Sequence, residues 1–229
     1  MPFQIGHDAG ARRHAAALAL FGCIATALAL SADRGVASAF AAMQTEAGRQ
    51  GMLLLTQLGN GAVDFALAGA VLVAGWALGR SRLVQAGLRA AVALSAAGIA
   101  VQVLKHLACR ARPTAAAPGT FFHGVPCLGG EPAFFSFPSG HATMVTALAL
   151  ALGLRVPALR LPAAAGVAVV MVSRVYLGAH FPSDVLAGAT LGAIAGILAA
   201  APIHSPAPTP LAAPDGPSAP QPPAAPMPR

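Results

Sequence analysis

Residues 138–141 read Pro-Ser-Gly-His and stand directly before an apolar run that continues to Leu154. A proline can open a helix without wasting a donor. The backbone N–H groups of Ser139, Gly140 and His141 would then lie free at a helix N-terminus, where the dipole favours an anion. Gly140 lets an oxyanion approach the backbone closely. Ser139 adds a hydroxyl and His141 a group able to protonate a leaving oxygen. Two further clusters carry matching chemistry. In "KHLACRARP", Lys105 is followed after six residues by Arg112 and Pro113. In "SRVYLGAHFPSD", Ser173 and Arg174 precede His180, and Asp184 follows it four positions on. Lys105, Arg112 and Arg174 supply three cations, with the arginine fork suited to phosphate oxygens. A carboxylate bonded to one nitrogen of His180 would fix its tautomer and leave the other as a nucleophile. The collection suits phosphoryl transfer through a covalent phosphohistidine, with the charge of the transition state held by fixed donors. The scheme needs no metal and no cofactor, and only Asp184 among the seven acidic residues belongs to the constellation.

The elements that must position these groups are apolar. The 229 residues are 56% hydrophobic and 9% charged, against about 25% charged in soluble domains. Six apolar segments are predicted, at about 14–32, 61–79, 84–104, 139–155, 157–177 and 184–203. The expected fold is all-α, an integral membrane bundle of about six transmembrane helices with its site at one face. Abundant Ala and Gly favour close helix contact. Asp64 and Arg89 interrupt two segments near their ends, where snorkelling or an interfacial partner is expected. The expected organisation is a short N-terminal segment at 1–13, a membrane domain at 14–203 and a disordered tail at 204–229. That tail holds ten prolines in 26 residues. Arg12–Arg13, the following apolar run and "ALSA" resemble a signal peptide, but the run is long for one. An uncleaved first span is preferred.

Arginines without acids mark 12–13, 80–82 and 155–160 as the cytoplasmic side. With six spans the three clusters then share the opposite, exterior side of a bacterial-type inner membrane. The net charge of +7 comes without a basic run or a soluble domain, which argues against nucleic acid. Cys23, Cys109 and Cys127 lack a zinc spacing. Cys23 is read as core. Cys109 and Cys127 flank one loop, and both a disulfide and free thiols stay open.

The three clusters together resemble the signature of the type 2 phosphatidic acid phosphatase superfamily. That pattern is Lys, six residues, Arg-Pro; then Pro-Ser-Gly-His; then Ser-Arg, five residues, His, three residues, Asp. All three parts are complete, in order, over 105–184. The resemblance implies a membrane-bound lipid phosphatase. It implies His180 as nucleophile, Asp184 as its orienter and His141 as general acid, with Lys105, Arg112, Ser139, Gly140 and Arg174 holding the phosphate. Phosphatidic acid, phosphatidylglycerol phosphate, undecaprenyl diphosphate and lipid A phosphates are the expected substrate types. Phe121, Phe122, Phe134, Phe135 and Phe137 crowd the loop before the helix. Admission of a lipid tail and ordinary packing of the loop both account for them. Arg110, His106 and His123 lie outside the pattern, and Ser173 is assigned only a supporting hydrogen bond. Three alternatives stay open: a phosphotransferase using the same intermediate, a non-catalytic anion-binding or transport protein, and a vanadate-dependent oxidase. Membrane spans argue against the last.

Overall fold

The computed structural model describes residues 5–115, 127 and 131–201. Seven α-helices follow one another: α1 (Ile5–Ala42), α2 (Glu46–Leu55), α3 (Gly61–Ala77), α4 (Ser81–Ala108), α5 (Gly140–Gly153), α6 (Arg160–Tyr176) and α7 (Pro182–Ala200). No strand is present among the described residues. The expected all-helical membrane architecture is found. Four helices are long and apolar enough to cross a bilayer, in α1, α4, α6 and α7. The six apolar segments fall on α1, α3, α4, α5, α6 and α7. Two of these depart from a simple span. The segment Glu46–Gly59 meets α3 at 51° as a bent pair, and α5 has only 14 residues. The stretch 33–60, expected as a connection, is largely helical. α1 continues to Ala42, and α2 is capped by Thr45, whose Oγ1 accepts the Gly48 N–H at 3.1 Å.

Outward faces are apolar where a soluble protein would be polar. Leu20, Phe21, Leu28, Trp76 and Leu161 are all exposed, as expected of helices solvated by lipid. Cys23, expected in the core, lies on this exposed face of α1. Inside, small residues dominate. Ala86, Ala90, Ala93 and Ala97 recur at spacings of four and three on α4, one face of a helix. They pack with Leu94 and with Met144, Leu148 and Leu152 of α5. α5 is the central helix, and only its residues Gly140, His141 and Leu150 escape burial.

The seam between α5 and α7 brings the second and third clusters together. Gly188, Gly192 and Gly196 form a stripe at four-residue spacing on α7. A Cβ at Gly188 would overlap the Ser139 carbonyl oxygen, and one at Gly192 the Thr143 carbonyl oxygen. One at Gly196 would lie 2.8 Å from Leu150 Cβ. Only hydrogen in place of a side chain permits this approach.

Two arginines at the opposite end are paired with backbone carbonyls. Arg89 donates through Nη1 to the carbonyl oxygens of Ala199 and Ala201, and Arg155 through Nη2 to that of Ala200 at 2.6 Å. Together they cap the C-terminus of α7. Asp64 does not snorkel as expected. It lies in the first turn of α3, toward the site end, is fully buried, and neither carboxyl oxygen has a hydrogen-bond partner among the described residues.

Gly192→Ala is expected to part the α5–α7 seam and lower stability by about 1–3 kcal/mol. Gly166→Ala on α6, where a Cβ would meet nothing within 4 Å, is expected to be neutral or slightly stabilising. Thermal unfolding in detergent compares the two.

Candidate active site

Lys105 lies in the last turn of α4. Its Nζ donates to the Phe135 carbonyl at 3.0 Å and would lie 3.9 Å from a Cβ at Gly140. The chain then turns sharply. Cys109 takes a left-handed conformation, φ 47°, and its N–H closes on the Lys105 carbonyl at 3.0 Å. Cys109 and Cys127 form a disulfide, which answers the question left by the sequence. Residues 110–112 run beside 133–136: the Arg112 N–H donates to the Ala133 carbonyl at 2.8 Å, and the Ser136 N–H to that of Arg110 at 2.9 Å. Arg112 Nε donates to the Pro132 carbonyl at 3.0 Å. The first cluster is thereby bound to the segment that leads into the second.

The helix of the second cluster starts later than expected. Pro138 follows a cis peptide bond from Phe137 and lies outside the helix. Ser139 is the N-cap and Gly140 the first helical residue. The Ser139 N–H is not free for an anion, because it donates to the Asp184 carbonyl at 2.9 Å. Gly140 and His141 remain as first-turn donors of α5. Ser139 Oγ does not cap the helix. It is buried and has no hydrogen-bond partner among the described residues. His141 lies within electrostatic reach of Arg174, His180, Lys105 and Arg112.

The third cluster joins α6 to α7. Arg174 sits in the last turn of α6, and its Nη1 donates to Thr56 Oγ1 at 3.2 Å. Its Nε is buried without a partner among the described residues. Thr56 belongs to the 3-10 turn Thr56–Gly59, which presses on α5 so closely that a Cβ at Gly59 would lie 2.8 Å from the His141 carbonyl oxygen. Beyond Tyr176 the chain reverses at Gly178, φ +65°, a conformation that suits glycine. The N–H groups of Ala179 and His180 return to the Arg174 carbonyl at 3.1 and 3.3 Å. Among the described residues Ser173 Oγ bonds within its own helix, to the Val170 carbonyl at 2.7 Å.

His180 is held differently from the expectation. Its Nδ1 lies 2.7 Å from the Ser136 carbonyl oxygen. A carbonyl only accepts, so Nδ1 carries the proton and Nε2 keeps the free electron pair. The Asp184 carboxylate stands 3.7 Å from the same nitrogen, too far for a direct bond. Asp184 instead organises what surrounds the ring. Its Oδ2 accepts Ser136 Oγ at 2.6 Å and the Phe181 N–H at 2.8 Å, and its Oδ1 accepts Arg110 Nη1 at 2.6 Å. Burial pushes the His180 imidazole down to about 4, with Asp184 opposing the shift. The ring is therefore neutral at neutral pH.

The structure thus gathers Lys105, Arg112, Ser139, Gly140, His141, Arg174, His180 and Asp184 around one end of the bundle. It adds Asp33, Thr56, Arg110, Ser136 and Ser183, none of which the sequence reading placed in the site. Asp33 carried one signal, an acid embedded in a long apolar helix. Thr56 and Ser136 carried none, since each acts through a partner distant in sequence. Among the described residues no group of three or more His, Cys, Asp or Glu is placed to hold a metal ion.

Comparison with known proteins agrees with this geometry. The Lipid A 1-phosphatase of Rhizobium johnstonii is 40% identical over 103 residues, 45% of this chain and 42% of that protein. The decaprenylphosphoryl-5-phosphoribose phosphatase of Mycobacterium tuberculosis is 48% identical over 67 residues, 29% of this chain and 37% of that protein. The chain therefore spans less than half the length of these curated relatives. The crystal structure of a transmembrane PAP2 type phosphatidylglycerolphosphate phosphatase from Bacillus subtilis superposes with a TM-score of 0.62 at 27% identity. That match covers 81% of this chain and 93% of the other. The profile of the PAP2 superfamily matches residues 86–204, more than half of the sequence and all three clusters. The chain is a multi-pass membrane protein and belongs to the PAP2 superfamily.

Proposed function

We propose that this protein hydrolyses the phosphate ester or diphosphate of a membrane lipid. The observation that carries the reading is the hydrogen bond from His180 Nδ1 to the Ser136 carbonyl, which leaves Nε2 as a neutral nucleophile beside a cluster of cations. Nε2 attacks phosphorus while the ester oxygen departs with the proton of His141. Lys105, Arg112 and Arg174 hold the phosphoryl oxygens with Ser139 Oγ and the first N–H groups of α5. Asp184 faces the imidazolium that forms on His180. His141, now deprotonated, takes a proton from water, which attacks the phosphohistidine and releases inorganic phosphate. Two atoms support an oxyanion here: Ser139 Oγ and Arg174 Nε are buried polar groups without a partner among the described residues.

The membrane domain at 14–203 carries this chemistry. The segment 1–13 and the proline-rich tail at 204–229 flank it; the tail falls outside the described residues. An exterior-facing site in an inner membrane is supported by the arginine bias of the opposite connections. The Cys109–Cys127 disulfide supports it independently, since such a bond persists in an oxidising compartment. The relatives named for lipid A and for a decaprenyl-linked phosphate favour a substrate with a large apolar part. An apolar groove of about 380 Å³ between α1 and α7 includes Phe137, two residues before Ser139, and could take such a tail. Phe121 and Phe122, also proposed for the tail, lie outside the described residues.

Phosphate release from short-chain phosphatidic acid in detergent with EDTA is expected to persist in the native protein and to fall at least about 10³-fold in His180→Ala. Full activity in that variant would exclude His180 as the nucleophile. Thr56→Val removes the hydroxyl that supports Arg174 and is expected to raise KM about tenfold with a smaller change in kcat. For pH, the sign follows from the depressed His180 value. The ring stays neutral as pH falls from 6.5 to about 4, so the nucleophile's acid limb in kcat/KM is expected near the lower value. Over the same window the unfolded chain takes a proton that the native ring refuses, and stability falls with pH.

A further inference from the structure

Asp33, on α1, lies outside the three motifs and outside the region matched by the family profile. Its side chain is fully buried, as are those of Arg110, Ser183 and Asp184. Asp33 Oδ1 accepts the Ser183 N–H at 2.9 Å. Its Oδ2 accepts Ser183 Oγ at 2.5 Å and Arg110 Nη2 at 2.6 Å. Arg110 Nη1 then donates to Asp184 Oδ1 and to Ser183 Oγ, each at 2.6 Å. The guanidinium carbon stands 4.5 Å from the centre of the Phe181 ring. One buried guanidinium therefore touches Phe181, Ser183 and Asp184, three of the four residues that follow His180.

The charges matter as much as the contacts. Arg110 and Asp184 alone would be a neutral pair. Asp33 adds a second carboxylate to the same guanidinium, so its field is divided between two anions. Asp184 keeps more negative potential at the ring 3.7 Å away. That potential is needed when attack on phosphorus turns the imidazole into a phosphorylated cation.

We propose that Asp33 and Arg110 are positioning residues for the reaction. They lock the turn 181–184 so that His180 meets phosphorus in line, and they keep net negative charge behind the ring as it becomes cationic. The proposal rests on His180 being the nucleophile.

The test uses the full chain in detergent with dioctanoyl phosphatidic acid. Asp33→Asn keeps the shape, can still accept the Ser183 N–H, and leaves Arg110 paired with Asp184. It is expected to fold and to lose kcat on the order of 10- to 100-fold with KM unchanged. Ser183→Ala, which removes one hydroxyl from the network, is expected to give a smaller loss of the same kind and serves if Asp33→Asn does not fold. Arg110→Met leaves two buried carboxylates, and adding Asp33→Asn to it is expected to recover part of the lost thermal stability. A purely structural network would lower the melting temperature and leave turnover per folded molecule unchanged, which overturns the proposal. So does native kcat in Asp33→Asn. His180→Ala is assayed in parallel. If it is inactive while Asp33→Asn and Ser183→Ala turn over normally, only this proposal fails. If it is active, the nucleophile assignment fails and the proposal falls with it.

Discussion

The contact between α5 and α7 is the constraint from which the site follows. Two helices approach so closely that the Ser139 N–H of one cluster donates to the Asp184 carbonyl of another at 2.9 Å. The glycine stripe of α7 makes the approach possible, and the burial of nearly all of α5 makes it rigid. In lipid, helices gain nothing from hiding apolar side chains from water, so fit at close range has to hold the bundle. Here the same fit sets the distance between the start of α5 and the turn that carries His180. Packing and chemistry are set by one seam.

Around that seam lies a graded arrangement of charge. Lys105, Arg112 and Arg174 lie within electrostatic reach of one another around the proposed phosphate site, and each is steadied by an oxygen from the protein. Behind His180 the sign reverses, with two carboxylates sharing one guanidinium. In the proposed reaction an incoming phosphate would meet cations in front, and the imidazole it would modify is backed by anions. In a medium of low dielectric such an ordering acts strongly, and the groups are fixed before substrate arrives. Thr56 and Asp33 hold opposite sides of this arrangement from the N-terminal helices, so the family-matched region 86–204 does not by itself contain everything that orients its motifs.

The motifs were legible because their chemistry depends on spacing: Lys105 to Arg112, and His180 to Asp184, report themselves along the chain. Parity of the apolar segments was enough to bring them to one end. What the sequence could not express were partnerships between distant residues. Asp184 was expected to bond His180 directly, since four positions of separation allow it; the Ser136 carbonyl takes that place, and a backbone oxygen has no residue type to read. Pro138 was expected to start the helix by local preference, yet α5 begins two residues later, with Ser139 tied to α7. Asp64 does lie near a helix end, in the first turn of α3, but three-dimensional packing buries it there where snorkelling is expected. Arg110 lies inside the most informative stretch but outside its pattern, and its partners Asp33, Ser183 and Asp184 are far away in sequence.

The shared guanidinium also makes positions 33, 110 and 184 unequal in what they tolerate. Asp184 with Arg110 is electrically complete without Asp33, whereas Asp33 with Asp184 is not complete without Arg110, since two adjacent buried carboxylates cannot both stay ionised. Across related sequences the acid at 33 is therefore expected only where a cation occupies 110, while a cation at 110 can occur without it. The dependence runs one way: the aspartate of α1 needs the arginine beside it, whereas the arginine, already paired with Asp184, does not need the aspartate.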